Sequence, residues 1–231
     1  PTWVNDESGP SMEVLVRLAN DKGQELSPTE LVRAAERYRL MGLVDRWVVQ
    51  TTFTALGRGA IPLTGQHSVA VNISGRSFED PALPRHIDRE LRRHGVAPHR
   101  LLVELTETAA VGDLRDAKRL IGQLHAMGCR VCLDDFGSGF ASFAYLKHLP
   151  ADVLKIDGLF VRNLARDRDD LVFVRAIVDV AKGLNKITVA EMVEDEETLA
   201  LLRSVGVDQV QGYHLGRPQE LHACVVERLE A

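Results

Sequence analysis

Short apolar runs rich in β-branched residues alternate along the chain with longer amphipathic stretches. The short runs predict strands, and apolar positions recurring every three to four residues predict helices. Strands are expected at Met12–Leu18, Ser68–Ser74, Leu101–Glu107, Arg130–Phe136, Val153–Asp157, Ile187–Val193 and Gln209–Tyr213. Helices are expected at Pro28–Met41, Leu43–Gly57, Leu83–His94, Leu114–Met127, Phe140–His148, Leu171–Leu184, Glu196–Val205 and Gln219–Leu229. The alternation indicates an α/β fold with a largely parallel sheet covered by helices.

A closed barrel is the architecture that this series of strand–helix units favours, but it needs one further strand. Pro1–Val4 offers a candidate at the amino terminus. Only Asn5–Ser11 separates it from the next strand, and parallel neighbours need a dozen or more connecting residues. We therefore predict a modified TIM-type (β/α)8 barrel with an antiparallel first strand pair and a truncated amino-terminal strand. No linker-like tract divides the chain, so residues 1–231 are expected to form one domain.

Composition narrows the range of partners and compartments. The chain is 45% hydrophobic and 26% charged, as in soluble globular proteins, and its net charge of −5 offers no basic field for a nucleic-acid polymer. No apolar run approaches the ~20 residues of a membrane span, and no signal peptide is recognisable. The pair Cys129-x-x-Cys132 lacks the further ligands of a zinc site. A cytoplasmic location is expected, with membrane or sensor segments upstream left open.

Polar residues interrupt the predicted strands, mostly near their carboxyl ends, which form one mouth in a barrel. They are Glu13, Asn72, Glu104, Glu107, Asp134, Asp135, Lys155, Asp157, Glu191, Glu194 and Gln211. A single acid at a strand end is commonly a helix N-cap, and paired aspartates before a glycine are common in turns. Neither explanation covers acids on several separate strands. We therefore predict that these side chains converge.

The ligand types indicate the metal and the chemistry. Oxygen donors without histidine favour Mg²⁺ or Mn²⁺ over zinc. Several carboxylates around two such cations suit in-line displacement at phosphorus. Lys155 is the basic residue on these strand segments apart from Arg17 and Arg130. Its amine could orient the attacking water or neutralise charge in the transition state.

Short motifs in sequence order resemble those of the EAL family of cyclic di-GMP phosphodiesterases. They are E-V-L-V-R at Glu13–Arg17, V-N-I-S at Val71–Ser74, E-L-T-E at Glu104–Glu107, D-D-F-G-S-G-F at Asp134–Phe140, L-K-I-D at Leu154–Asp157, A-E-M-V-E at Ala190–Glu194 and Q-G-Y at Gln211–Tyr213. Each motif is weak alone, but together they extend over essentially the whole chain. The resemblance implies hydrolysis of cyclic di-GMP to linear pGpG by a metal-activated water, in bacterial second-messenger signalling.

The same resemblance implies a role for individual residues. The ligands of two divalent metal ions, Mg²⁺ or Mn²⁺, would be Glu13, Asn72, Glu104, Asp134, Asp135 and Glu191. The residues acting in catalysis would be Lys155 at the attacking water, Gln211 and Glu191 around it, and Glu107 as a brace for the loop 137–142. Substrate would be bound by Arg17, Asn72 and Glu194, with Arg17 contacting a phosphate.

The resemblance further implies a homodimer and upstream sensor or GGDEF-type domains in the full-length protein. Some positions depart from the family pattern, including Val14, Met192 and Ala141, but no implied ligand is lost. A glutamine that precedes the proline matching Pro1 in the family, and contacts substrate there, is not in this sequence. The alternatives are a non-catalytic cyclic di-GMP receptor and another metallohydrolase on the same fold.

Overall fold

The computed structural model describes residues 2–3, 11–19, 22–61, 67–139 and 143–220. Its strands are β1 (Thr2–Trp3), β2 (Met12–Val14), β3 (Leu18–Ala19), β4 (Glu25–Leu26), β5 (Val69–Asn72), β6 (Leu101–Thr106), β7 (Arg130–Phe136), β8 (Val153–Ile156), β9 (Ile187–Ala190) and β10 (Gln209–Val210). Its α-helices are α1 (Pro28–Arg37), α2 (Met41–Gly57), α3 (Ala82–His94), α4 (Glu107–Gly112), α5 (Leu114–Met127), α6 (Phe143–Leu146), α7 (Gly158–Val161), α8 (Arg168–Gly183) and α9 (Glu196–Val205). Single 3₁₀ turns lie at Gly75–Ser77 and Pro98–Arg100. No helix among these residues is long and apolar enough to cross a membrane.

An 8-stranded sheet carries the fold, in the order β1-β10-β9-β8-β7-β6-β5-β2. Each pair of neighbouring strands between β2 and β10 in this order is parallel. Strand β1 is antiparallel to β10, with Thr2 opposite Val210. The predicted antiparallel first strand is therefore present. Its partner among the described pairs is the last strand, however, and not Met12–Val14 as we expected. Pairing there covers the backbone groups that the edge strand β10 would otherwise expose.

Helix ends follow the local sequence. At the start of α1 the Ser27 hydroxyl accepts from the backbone N–H of Glu30, and Glu30 accepts from the backbone N–H of Ser27. This reciprocal pair is a capping box, with Pro28 in the first helical turn, where its missing N–H costs nothing. Helices α3, α5 and α9 each end at a glycine with a left-handed backbone. These caps satisfy backbone groups that a helix end would otherwise leave without a partner.

Two apolar layers lie on opposite faces of the sheet. The larger one packs the outer face against the helices and includes Phe53, Phe78 and Cys129. The smaller one, here called the plug, fills the barrel interior with one residue from each of five adjacent strands: Ala70, Leu102, Cys132, Val153 and Val189. Side chains two positions apart share a face, so the next inward residues after the plug are Asn72, Glu104, Asp134, Lys155 and Glu191. The plug is thus a floor beneath a polar layer.

Several elements have the predicted bounds and others differ. Helices α4 and α7 were not predicted, and the described part of the predicted helix Phe140–His148 contains only the short α6. Arg130–Phe136, Leu114–Met127 and Glu196–Val205 have the predicted limits. The predicted strand Met12–Leu18 stops at Val14, and its tail joins a separate β3–β4 hairpin. Strands β9 and β10 each end three residues before their predicted limits, at Ala190 and Val210. The predicted helix Gln219–Leu229 lies outside the described residues apart from its first two positions, which are not helical.

Candidate functional site

Lys155 lies at the centre of the polar layer, with its side chain only 2% exposed. Its ammonium nitrogen is 2.8 Å from Glu191 Oε1, 3.0 Å from Asp134 Oδ1, 3.4 Å from Glu13 Oε2 and 3.5 Å from Glu104 Oε2. Burial alone would lower the pKa of Lys155, but these four carboxylates raise it well above its usual range. Beside these four carboxylates the charged ammonium form of Lys155 is favoured. We call these five side chains the Lys155 ring.

Glu13 is held by two side-chain amides in addition to Lys155. Asn72 Nδ2 donates to Glu13 Oε1 at 2.8 Å, and Gln211 Nε2 donates to Glu13 Oε2 at 2.8 Å. Burial opposes the charged form, but Lys155 and the two amides lower the pKa of Glu13 overall. Because both NH₂ groups point at Glu13, the carbonyl oxygens point elsewhere. Gln211 Oε1 is buried and has no hydrogen-bond partner among the described residues.

Asp134 and Asp135 are consecutive in β7, yet both reach the mouth. In a regular strand they would point to opposite faces of the sheet. Here Leu133 pairs with Leu154 and Phe136 with Ile156, so the two aspartates together oppose one residue of β8. This is a β-bulge, and Asp135 has a left-handed backbone with φ of 54°. As a result, Asp134, Asp135 and Glu191 each offer a carboxylate oxygen within 4.8 Å of the others.

The chemistry of these donors fits hard divalent cations. Glu104 Oε1 and Asp134 Oδ1 are buried and accept no hydrogen bond among the described residues, although Asp134 Oδ1 is ion-paired with Lys155. Burial, against the opposing effect of Lys155, raises the pKa of Glu104 well above its usual range and that of Glu191 to about 7. Burial makes the charged forms of these carboxylates costly unless cations lie close to them. Carboxylate and amide oxygens are the ligands that Mg²⁺ and Mn²⁺ prefer.

The stability of the chain in chelator should depend on the protonation of Glu191. Its pKa rises from 4.5 to about 7 in the folded protein, so the folded state binds more protons than the unfolded state between these values. This contribution to the free energy of unfolding must therefore fall as pH rises through that window. We expect Glu191→Gln to gain stability relative to the original chain between pH 5 and pH 7, as measured by urea unfolding in EDTA. A difference that shrinks with rising pH would contradict the assignment.

Glu107 lies outside the Lys155 ring and contacts the turn after the bulge. It is buried at the start of α4, and its Oε2 accepts from the backbone N–H of Gly137 at 2.7 Å. Burial raises the pKa of Glu107, against the opposing effect of that N–H group. The contact is the kind that a brace for the turn at Gly137 requires.

Two of the residues implied to bind substrate lie apart from the Lys155 ring. Arg17 is partly exposed, and its Nε lies 2.9 Å from Glu25 Oε1 in the β3–β4 hairpin. Glu194 is exposed and lies three residues after Glu191, directly after Val193. Between Glu191 and Val193, Met192 has a left-handed backbone. Both residues remain on the carboxyl side of their strands, but the described contacts place neither in the ring.

Gly212 permits a backbone crossing that the sequence patterns did not reveal. A Cβ at this position would lie 2.1 Å from Val193 O and 2.3 Å from Val193 N. Across the same contact, Val193 N–H donates to Gln211 O at 3.0 Å, and His214 N–H donates to Val193 O at 3.1 Å. Only glycine lets the two segments approach this closely. The crossing ties the backbone of Gln211 to Val193, and the Gln211 side chain donates to Glu13.

Replacing Gly212 with alanine is expected to destabilise the folded chain by about 3 kcal/mol, because backbone atoms cannot move aside as a flexible side chain can. Gly216→Ala is the matched control, since a Cβ at Gly216 meets nothing within 4 Å. Urea unfolding of both variants measures the difference. Equal stabilities would mean that the crossing tolerates a methyl group.

The fold and the site together define a β/α barrel with an acid-lined mouth. The sequence model of the EAL domain family matches residues 3–218 of the chain. The chain is 38% identical over 210 residues to the cyclic di-GMP phosphodiesterase PdeB of Shewanella oneidensis, covering 91% of this chain and 24% of that protein. It is 34% identical over 211 residues to the cyclic di-GMP phosphodiesterase PdeF of Escherichia coli, covering 90% and 28%. The chain belongs to the EAL domain family, and it spans about a quarter of the length of these two relatives.

Solved structures agree with this assignment. The FimX EAL domain from Pseudomonas aeruginosa bound to c-di-GMP superposes with a TM-score of 0.86 at 29% identity, covering 94% of this chain and 87% of that one. The c-di-GMP complex of the PaMucR phosphodiesterase superposes with a TM-score of 0.80 at 34% identity, covering 92% and 87%. The barrel interpretation therefore has support beyond the strand order.

Proposed function

We propose that this chain hydrolyses cyclic di-GMP to linear pGpG with the help of two Mg²⁺ or Mn²⁺ ions. The observation that carries the proposal is the Lys155 ring, in which four carboxylates from separate strands and loops meet one buried ammonium. The names of two relatives, PdeB and PdeF, support the reaction. The bound c-di-GMP in the FimX and PaMucR structures supports the substrate class.

The ligand set would be the acids of the mouth together with one amide: Glu13, Asn72, Glu104, Asp134, Asp135 and Glu191. When bound, the cations would lower the pKa of the attacking water and neutralise charge on the phosphodiester. The bulge at Asp134 and Asp135 supports a shared ligand position, because it turns two successive carboxylates to the same side. The buried, unpartnered oxygen of Glu104 is a further donor on the floor of the mouth.

Lys155 and Gln211 would handle the water and the developing charge. As an ammonium, Lys155 donates hydrogen bonds, so it would hold the water and stabilise negative charge on the phosphoryl oxygens. Gln211 Oε1 lacks a described partner and would accept from the same water. Attack at phosphorus breaks the bond to one ribose 3′ oxygen, which takes up a proton, and the water's oxygen stays on the new 5′ phosphate. Arg17 would contact a phosphate and Glu194 would support the substrate. Glu107 would brace the loop 137–142, of which residues 140–142 lie outside the described part of the chain.

A product assay tests the proposal directly. The purified chain is incubated with micromolar cyclic di-GMP and Mn²⁺, with and without EDTA, and nucleotides are separated by chromatography. We expect pGpG with Mn²⁺ and none with EDTA. Binding of cyclic di-GMP without product would replace hydrolysis by a receptor function. Faster cleavage of other cyclic dinucleotides or linear diesters would assign a different phosphodiesterase.

We further propose that residues 1–231 form one EAL-type unit of a longer cytoplasmic protein with upstream sensor or GGDEF-type domains. The MucR relative is named as a bifunctional diguanylate cyclase and phosphodiesterase, and the chain spans 30% of it.

A homodimer is proposed as the working state. Exposed apolar side chains on α7 and α8 support it, namely Leu159, Val172 and Phe173, which are 63%, 60% and 55% exposed. Equilibrium sedimentation of the purified chain tests the dimer.

A further inference from the structure

We propose that Asp45, on the helix side of the sheet, positions Asn72 for metal binding by holding the turn that follows β5. The inference rests on the proposed function, which makes Asn72 a metal ligand. Asp45 lies in α2 and is 3% exposed. Its Oδ2 accepts from Ser74 N–H at 3.2 Å, from the Ser74 hydroxyl at 2.6 Å and from the Ser77 hydroxyl at 2.6 Å. Ser74 lies two residues after Asn72.

The Ser74 hydroxyl is committed to Asp45 instead of to its own helix. Ser74 directly precedes the 3₁₀ turn Gly75–Ser77 and has an extended backbone, with φ of −71° and ψ of 150°. A serine at such a position ordinarily accepts from an N–H of the turn that it begins. No such bond is present at Ser74. The turn is therefore attached to α2 through both of its serine hydroxyls, and Asp45 is the shared acceptor.

The opposite side of the turn and its backbone are also fixed. A Cβ at Gly75 would lie 2.9 Å from the Cβ of Ala109 in α4, so the turn is in close contact with that helix. Ile73 N–H donates to Glu104 O at 2.9 Å and extends the β5–β6 ladder past Asn72. The backbone at Asn72 is thus held by β6 before the turn and by Asp45 after it. From this fixed backbone, the Asn72 NH₂ group donates to Glu13 Oε1 at 2.8 Å.

A positioning role and a purely structural role predict different measurements. Loss of a group that orients a ligand typically costs about 10–100-fold in metal affinity. A purely structural contact would lower the free energy of unfolding and leave the affinity of the folded chain for Mn²⁺ unchanged. Asp208 provides the matched comparison at the amino ends of the strands. Its Oδ2 accepts from Thr188 N–H and from the Thr188 hydroxyl, both at 2.8 Å.

The experiment titrates Mn²⁺ into the chain without substrate and follows binding by calorimetry. Asp45→Asn and Ser74→Ala are expected to weaken Mn²⁺ binding by about tenfold or more, whereas Asp208→Asn keeps the original affinity. If Asp45 acts through Asn72, Asp45→Asn should have no further effect in an Asn72→Ala background. Urea unfolding in EDTA measures the stability of each variant separately.

Mn²⁺ affinities of Asp45→Asn and Ser74→Ala within about twofold of the original chain would overturn the inference. So would an equal loss in Asp208→Asn. If Asp45→Asn does not fold, Ser74→Ala decides, because it keeps the Ser74 N–H and Ser77 bonds to Asp45. An original chain that binds Mn²⁺ but forms no pGpG would end the proposed function and leave the affinity comparison intact.

Discussion

Glu13→Ala is expected to reduce pGpG formation by more than about a hundredfold. The substitution removes the acceptor of Asn72 and Gln211 and one carboxylate of the Lys155 ring. Two amides and an ammonium would lose their shared partner, and a ligand would be lost from the proposed metal site. Initial rates of pGpG formation at saturating Mn²⁺, measured by chromatography, test the prediction.

Glu36→Ala is the matched control for this change, because Glu36 is exposed on α1. It should keep the original rate. Raising the Mn²⁺ concentration should not restore Glu13→Ala fully, since the orientation of the two amides is lost together with the charge. A Glu13→Ala rate within about tenfold of the original chain would remove Glu13 from the ligand set.

Lys155→Met is expected to destabilise the metal-free chain by about 3–5 kcal/mol, as breaking a buried ion pair does. The variant would leave Glu13, Glu104, Asp134 and Glu191 facing one another without a counter-charge. Turnover should be lost as well, because the proposed donor to the attacking water is gone. Urea unfolding in EDTA measures the first effect, and the product assay measures the second.

Divalent cations provide a second measurement on Lys155→Met. Because the acids need positive charge, saturating Mn²⁺ should stabilise this variant more than it stabilises the original chain. Lys186→Met is the control, since Lys186 is half-buried at the other end of the barrel and donates to a backbone carbonyl, that of Ala151. A similar Mn²⁺ effect on both variants would mean that the ring acids do not depend on Lys155 for charge balance.

The convergence of acids was predictable because it follows from two regularities of the chain. Strand residues two apart share a face, and parallel strands end at one rim. Glu104, Lys155 and Glu191 obey both, and each lies two positions after a plug residue. The limits of β7, α5 and α9 were predictable for a similar reason, because each is bounded by a glycine or an N-cap residue in the sequence.

Other features depend on contacts between segments far apart in the chain. The pairing of β1 with β10 joins residues from opposite ends of the sequence, and no local pattern favours it over a hairpin with β2. The crossing at Gly212 is a backbone contact with Val193, and a single glycine in a loop has many possible causes. Asp45 was missed because an acid in an amphipathic helix is ordinarily solvated, and its three donors become visible only when α2 packs beside β5.

The bulge in β7 makes the mouth sensitive to the length of that strand as well as to its residue types. A homologous sequence can keep both adjacent aspartates and still gain or lose a residue beside them in the strand. Such a change would alter whether both side chains face the mouth. An alignment that shifts by one residue to keep the acids in register would conceal this difference. When hydrolases are sorted from receptors in such a family, insertions and deletions beside the acid pair should therefore count as much as substitutions of the acids.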